Sequence, residues 1–438
     1  MAQPRSFKAP LVLIVLTTLV GGCSMLGNLN PFSRDEILPG ERVSALPQTA
    51  IQITGGTPAI GSPIAFVDWS QPGGNAANAP GNIGYSTSAA AAAWRIRAVG
   101  SASRRNVRPS VPPLVHGGQI FVYDTDGVVT ALSAGGGQGW SASLAPEGER
   151  SRAAGGGIAA SGSMIFAATG YGEVIALDAT TGGRIWTFRM NAPAHSAPTA
   201  AGGKVFVVSA TNVLYAIDQA NGAVAWQSPG IPETAGVLSA ASPAVSGSTV
   251  VVPYSSGEVI AFDTASGDLK WTDAVIRSSR TLAISGLTDV AASPVIYDGV
   301  VYATGVSGRT IAVNLASGAR IWEQNIGSIT TPAVSGNALF LVDLEEHMVA
   351  VNRTDGDVFW RVELPTVQKR RFFSVWTGPT LVGGTLWAVS NDKRMMGVDA
   401  ATGQIVADIT LPSPAYVRPI ATSGQMLVLA ADGSLSAY

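Results

Sequence analysis

One unit recurs along most of the chain and limits what it can fold into: Asp or Asn, three residues, Gly, three residues, Trp. It reads ALDATTGGRIW (Asp178, Gly182, Trp186), AIDQANGAVAW (Asp218, Gly222, Trp226), AFDTASGDLKW (Asp263, Gly267, Trp271), AVNLASGARIW (Asn314, Gly318, Trp322) and AVNRTDGDVFW (Asn352, Gly356, Trp360). Two degenerate copies flank these, one ending at Trp140 and one with Asp399, Gly403 and Ala407 where Trp should stand. An Asp or Asn side chain can cap its own turn, and Gly supplies the positive φ that a tight turn needs. The Trp offers a large apolar face to a neighbouring sheet and an N–H that seeks an acceptor.

A second element precedes each copy: Pro, three or four residues, Gly, then an apolar run. It begins at Pro113, Pro198, Pro243, Pro294, Pro332, Pro379 and Pro419, with Gly157 in the Pro position of one copy. Runs such as KVFVVS and TVVVPY are short, β-branched and bounded by turn formers, as strands are. Each unit is therefore a four-stranded antiparallel sheet of roughly 40 residues, and a tandem of such units is an all-β propeller. The chain ends at Tyr438, before the last copy reaches its Trp strand, and Trp94 stands in a strand with no preceding hairpin. The C-terminal hairpin and the Trp94 strand are expected to complete one blade together, which leaves no free edge at the seam. The count is then eight four-stranded blades over 88–438. Residues 63–87, rich in turn formers between Asp68 and Asn82, are expected to wrap over the body.

The N-terminus carries Arg5 and Lys8, an apolar run from Ala9 to Val20, then Gly21, Gly22 and Cys23. That run is too short to span a bilayer but suits the core of a signal peptide. It is similar to the lipobox of bacterial lipoproteins. This resemblance implies cleavage after residue 22, acylation of Cys23 (the sole cysteine) and, with Ser24 next, sorting to the outer membrane. Residues 23–62 read as a low-complexity tether. The net charge of −2 lacks the basic footprint of a nucleic-acid partner.

The D-x-x-x-G-x-x-x-W repeat resembles that of the quinoprotein (PQQ-type) propellers. Joined to a lipoprotein signal and eight blades, it is similar to the BamB family of outer-membrane assembly lipoproteins. This resemblance implies a non-enzymatic scaffold of the β-barrel assembly machinery. Such a scaffold is lipid-anchored in the outer membrane, faces the periplasm, and binds the periplasmic POTRA domains of the barrel insertase BamA. Unfolded outer-membrane proteins are a further partner. A quinoprotein dehydrogenase is the alternative, and a propeller that binds another envelope component is a second. Quinoprotein dehydrogenases carry adjacent cysteines beside the quinone and carboxylates for Ca²⁺. Here Cys23 is assigned to lipid and the Asp residues to turns, so no cofactor, metal or catalytic residue is assigned. His116, His195 and His347 lie in different repeats without ligand spacing and receive no role.

By resemblance to loops with which family members contact the insertase, Asp289 in TDVAASP and Leu238 in ETAGVLSAASP are candidate partner-binding residues. Arg277 and Arg280 can supply charge from a neighbouring loop. The interval from Trp271 to Trp322 is 51 residues, against 38 to 47 between the other neighbouring repeat positions. Its surplus must be loop, and binding residues concentrate on loops of rigid scaffolds. The basic run Lys369–Arg371 reads either as a solvated loop or as a contact for an acidic partner or lipid headgroups.

Overall fold

The computed structural model describes residues 51–85, 91–99, 111–149, 155–194, 196–231, 241–275, 290, 292–369 and 372–438. They belong to one compact unit, Ile51–Tyr438. Eight four-stranded antiparallel sheets form in chain order, each running from an innermost to an outermost strand. Blade 1 starts with the inner strand Leu114–His116, blade 2 with Gly156–Ser161, blade 3 with Thr199–Ala201 and blade 4 with Ala244–Ser246. Blades 5, 6 and 7 start with Val295–Tyr297, Ala333–Ser335 and Trp376–Val382. Blade 8 starts with Ile420–Thr422 and is composite. Its third strand, Ser434–Ala437, pairs with Trp94–Arg97 from the other end of the chain, with Trp94 opposite Ala437 and Arg97 opposite Ser434. The ring thus closes as the interrupted last repeat requires.

Stacked sheets explain the burial pattern. The second and third strands are covered on both faces by neighbouring blades, so they are apolar almost throughout, as in Val205–Val208 and Leu214–Ile217. The outermost strands alternate, as in Arg184–Arg189, because only one of their faces meets a neighbour. Across each regular blade runs a row of three facing residues. In blade 3 it is Phe206, Ala216 and Trp226, and in blade 6 it is Phe340, Ala350 and Trp360. The central Ala lets the rings on either side approach to 5.9 Å and 6.1 Å between centroids.

The Asp-Gly-Trp motif joins one blade to the next. Asp178 Oδ1 accepts hydrogen bonds from the Thr180 and Thr181 backbones and from Thr181 Oγ1. The Thr181 hydroxyl, followed by its amide, holds this carboxyl below the usual carboxylate range. The turn so fixed turns a carbonyl outward, and the Trp of the preceding blade donates to it. Trp140 Nε1 reaches Ala179 O at 3.0 Å, Trp186 reaches Gln219 O at 2.8 Å and Trp226 reaches Thr264 O at 3.1 Å. Trp271, Trp322 and Trp360 repeat the contact with Leu315, Arg353 and Ala400. The acceptor is always the residue after the Asp or Asn. The motif Gly has a second reason besides its φ of 73° at Gly182: a Cβ there would lie 2.5 Å from the Trp140 ring.

Blade 7 breaks the pattern for a topological reason. Ala407 stands where the docking Trp belongs, and the next blade is the composite one. Its third and fourth strands come from opposite ends of the chain, so no turn joins them and no turn carbonyl is offered. The ring is placed two strands further in: the row here is Trp387, Gly397 and Ala407. Trp387 is buried, and Gly397 supplies the room that its ring needs.

The segment 51–85 lies across one end of the ring and bonds to every blade. Trp69 O accepts from Val115 N, Ser70 O from Ala160 N, Ala76 O from Val245 N and Ala77 O from Ile296 N. Gln71 bridges two blades: its Nε2 donates to Ala160 O and Ala200 O while its Oε1 accepts from Ala200 N. Ala59 O accepts from Asn337 N in blade 6, Ile83 exchanges bonds with Leu381 and Gly383 in blade 7, and Phe66 O accepts from Ser423 N in blade 8. Trp69 and Ile83 are fully buried in this strap. Among the described residues no helix is long and apolar enough to cross a membrane.

Candidate functional site

Antiparallel four-stranded blades give the ring two unlike ends. The turns between first and second strands and between third and fourth strands lie at one end, where the strap covers the axis. The turns between second and third strands, and the connections from blade to blade, lie at the other. The longest of these connections, 275–294 between blades 4 and 5, is there, as are 98–113 between blades 8 and 1 and 230–243 between blades 3 and 4. A small hairpin, Gln368–Lys369 with Phe372–Phe373, projects from the connection between blades 6 and 7. The exposed apolar side chains Ile231, Ile329, Leu344, Val367 and Phe373 all belong to this loop end. A rim of apolar tips around a rigid ring suits a protein surface as partner.

Of the residues expected to form the interface, Leu238, Arg277, Arg280 and Asp289 lie outside the described residues, as do Cys23 and His195. The connections that carry the four interface residues in sequence precede and follow blade 4. Of the basic run, Lys369 falls in the small hairpin, and 370–371 lie outside the described residues.

The axis itself holds a cavity of about 250 Å³, lined by Ile329, Thr330, Val375, Thr377, Val417 and Arg418, among others, with Pro72 of the strap also in its wall. Small polar groups link the blades around it. Thr199 Oγ1 donates to Pro243 O and Thr380 Oγ1 to Pro419 O, both at 2.6 Å. Arg418 is the exception in character. It occupies the place just before the Pro that opens an inner strand, where the other blades have Pro112, Ala197, Ser242, Ser293, Thr331 and Gly378. It is 8% exposed, its Nε donates to Thr380 Oγ1 at 3.3 Å and its Nη2 to Pro379 O, and its guanidinium lies 5.6 Å from the centre of the Trp69 ring. Among the described residues Nη1 has no partner and no carboxylate lines the cavity. Burial lowers its pKa to about 10, so it stays charged at neutral pH. Sequence reasoning passed over this residue, although the run of small residues before the other prolines marks it out.

Pyrroloquinoline quinone, implied by the repeat's resemblance to quinoproteins, does not fit this cavity. It is a rigid tricyclic tricarboxylate bound together with a metal ion. The cavity offers one cation for three carboxylates and, among its lining residues, no carboxylate for the ion.

A group of possible metal ligands, Asp343, Glu345 and His347, sits in a turn of blade 6. Arg361 occupies it, 2.7 Å from Asp343 and 2.5 Å from Glu345. A cation would have to displace a bound guanidinium there. Beside it Glu346 accepts from Trp376 N at 2.7 Å, and burial, followed by the Asp343 charge, pushes its carboxyl up to about 7.

A family model described as outer membrane protein assembly factor BamB matches residues 125–362 and 344–438. The curated relative of that name from Yersinia pestis is 26% identical over 333 residues, covering 74% of this chain and 83% of the relative. The one from Escherichia coli (strain K12) is 26% identical over 323 residues, covering 62% of this chain and 81% of the relative. Among solved structures, BamB from Moraxella catarrhalis superposes with a TM-score of 0.64 at 20% identity, covering 79% of this chain and 98% of that one. A europium-containing methanol dehydrogenase superposes with a TM-score of 0.66 at 14% identity, covering 82% and 89%. At such identities the two superpositions speak for the propeller fold, which binders and dehydrogenases share. The family match runs through the blades themselves, and by it the chain belongs to the BamB family of outer membrane protein assembly factors.

Proposed function

We propose that the chain is a non-enzymatic lipoprotein scaffold of outer-membrane β-barrel assembly. Residues 1–22 serve as its signal peptide, Cys23 carries the lipid, and 23–62, whose last part from Ile51 already lies on the blades, tether the propeller on the periplasmic side of the outer membrane. The propeller binds the periplasmic POTRA domains of the barrel insertase BamA and assists insertion of barrel proteins, whose unfolded chains are a further partner. The observation that carries this reading is the family match over residues 125–362 and 344–438, whose relatives are named outer membrane protein assembly factors.

The loop end is its working face, with Leu238 as apolar anchor and Arg277, Arg280 and Asp289 as charged contacts. Two observations support that choice: the longest blade-to-blade connection, 275–294, holds the three charged residues, and exposed apolar side chains gather at that end. Interfaces draw most of their energy from a few such anchors.

The test is a detergent pull-down of the lipidated chain from its own membranes, with mass spectrometry of what co-elutes, beside a sample carrying Leu238→Ala and Asp289→Arg. The barrel insertase should dominate, and the double variant should lose most of it. If the insertase is absent, the assembly role falls. If the variant retains it in full, the role stands and these contacts are wrong.

A further inference from the structure

We propose that the axial cavity at the loop end is a binding site for a small organic monocarboxylate, received by Arg418. A buried guanidinium with an unpartnered donor and, among the described residues, no carboxylate facing it calls for an anion, because leaving a charge unpaired in a dry interior is costly. Arg418 is tied down on two sides by Pro379 O and Thr380 Oγ1, and Trp69 lies against it. These contacts fix the fork of a residue that stands in the cavity wall, and its Nη1 is buried without a hydrogen-bond partner. A guanidinium short of one partner, in a wall that also holds Thr330 and Thr377, suits a carboxylate, which accepts on both oxygens.

The rest of the wall sets the body of the ligand. Pro72, Ile329, Val375 and Val417 are apolar, so the carboxylate should be carried on an apolar group. The volume of about 250 Å³ lies just below the usual range for ligand pockets and limits that group to one ring or a short chain. A single cation selects one negative charge over two or three. Ile329 is half exposed at the loop end, which places the entrance there, and the strap bars the other end. The site does not depend on the scaffold role: an acid can bind whether or not the insertase does.

The experiment is isothermal titration of the full chain in detergent with 3-phenylpropionate, and with its amide as the neutral probe of equal shape. The acid should bind saturably and the amide about tenfold or more weaker, the discrimination that a charge-assisted pair gives. Arg418→Gln should abolish the difference. Ile329→Trp, which fills the entrance and leaves Arg418 in place, should abolish binding of the acid. Equal binding of acid and amide, or no saturable binding of the acid, overturns the proposal. Should Arg418→Gln fail to fold by near-ultraviolet circular dichroism, the entrance variant decides alone: binding as tight as wild type would overturn the site.

Discussion

Glu346 has a φ of 62°, a left-handed conformation that blades 1 and 2 assign to Gly127 and Gly172 at the same turn. Its carboxyl is half-buried, and its pKa is raised to about 7 from an ordinary 4.5, by burial first and by Asp343 second. The folded chain therefore holds a proton there that the unfolded chain releases between those two values. This contribution to stability is complete below pH 4.5 and is lost as pH rises through 7. Discounted for partial exposure it amounts to about 1–2 kcal/mol. Thermal melts from pH 5 to 8 should show the melting temperature of wild type falling relative to Glu346→Gln, whose neutral amide keeps an acceptor for Trp376 N. Parallel curves would remove Glu346 from the account. The identity of Glu346 in a turn is plain from the sequence; its burial is not, because Trp376 comes from the next blade. The same holds for Arg418. Its odd place before Pro419 is visible in one dimension, but its lack of a counter-charge among the described residues is a property of five blades meeting at the axis.

At the scale of elements, the propeller was legible because its turn chemistry is local. Asp178 caps the turn, Gly182 passes under a ring and Trp186 leaves for the next blade, all within nine residues. The replacement of Trp by Ala407 was legible as a fact but not as a design, since its cause is that blade 8 is sewn from both ends of the chain. The row Trp387, Gly397 and Ala407 makes that cause testable. A Cβ on Gly397 would lie 3.1 Å from Ala407 Cβ, 3.2 Å from Thr385 Cγ2 and 3.2 Å from the Trp387 ring. Gly397→Ala installs the residue that blades 3 and 6 carry natively at this place, as Ala216 and Ala350. In blade 7 it should nevertheless destabilise by about 1–3 kcal/mol, the usual cost of overpacking. Adding Trp387→Phe, which gives the first two places of the row the residues of the regular blades, should return part of that loss. Urea denaturation of the two variants reads both effects. A neutral Gly397→Ala would mean that Trp387 can yield, and that the inward ring is not what holds this blade.

For the whole molecule, the question is what keeps eight sheets at one radius when each touches only its neighbours. Closure through Trp94 and Ala437 joins the ends of the ring but acts only at its seam. The strap acts on all blades, and most of its bonds fall on inner strands or the turns that follow them, where the strands have no sheet partner on their axial side. Composition alone suggests a covering segment between Asp68 and Asn82. The partners are out of reach of sequence, since Gln71 meets Ala160 and Ala200 at separations of 89 and 129 residues. If the strap fixes the inner strands, loosening it should free their amides and spare the rest of the sheet. Trp69→Ala with Gln71→Ala empties a fully buried site and leaves Ala160 O, Ala200 O and Ala200 N without partners. Hydrogen exchange should then accelerate at Val115, Ala160 and Ala200, whose N–H groups bond to the strap. Amides at Phe206 and Ala216, paired within blade 3, should keep their protection. Acceleration throughout blades 1 to 3 would instead mean that the strap and the inner blades unfold as one unit. No acceleration would mean that the ring holds its own radius and that the strap merely rests upon it.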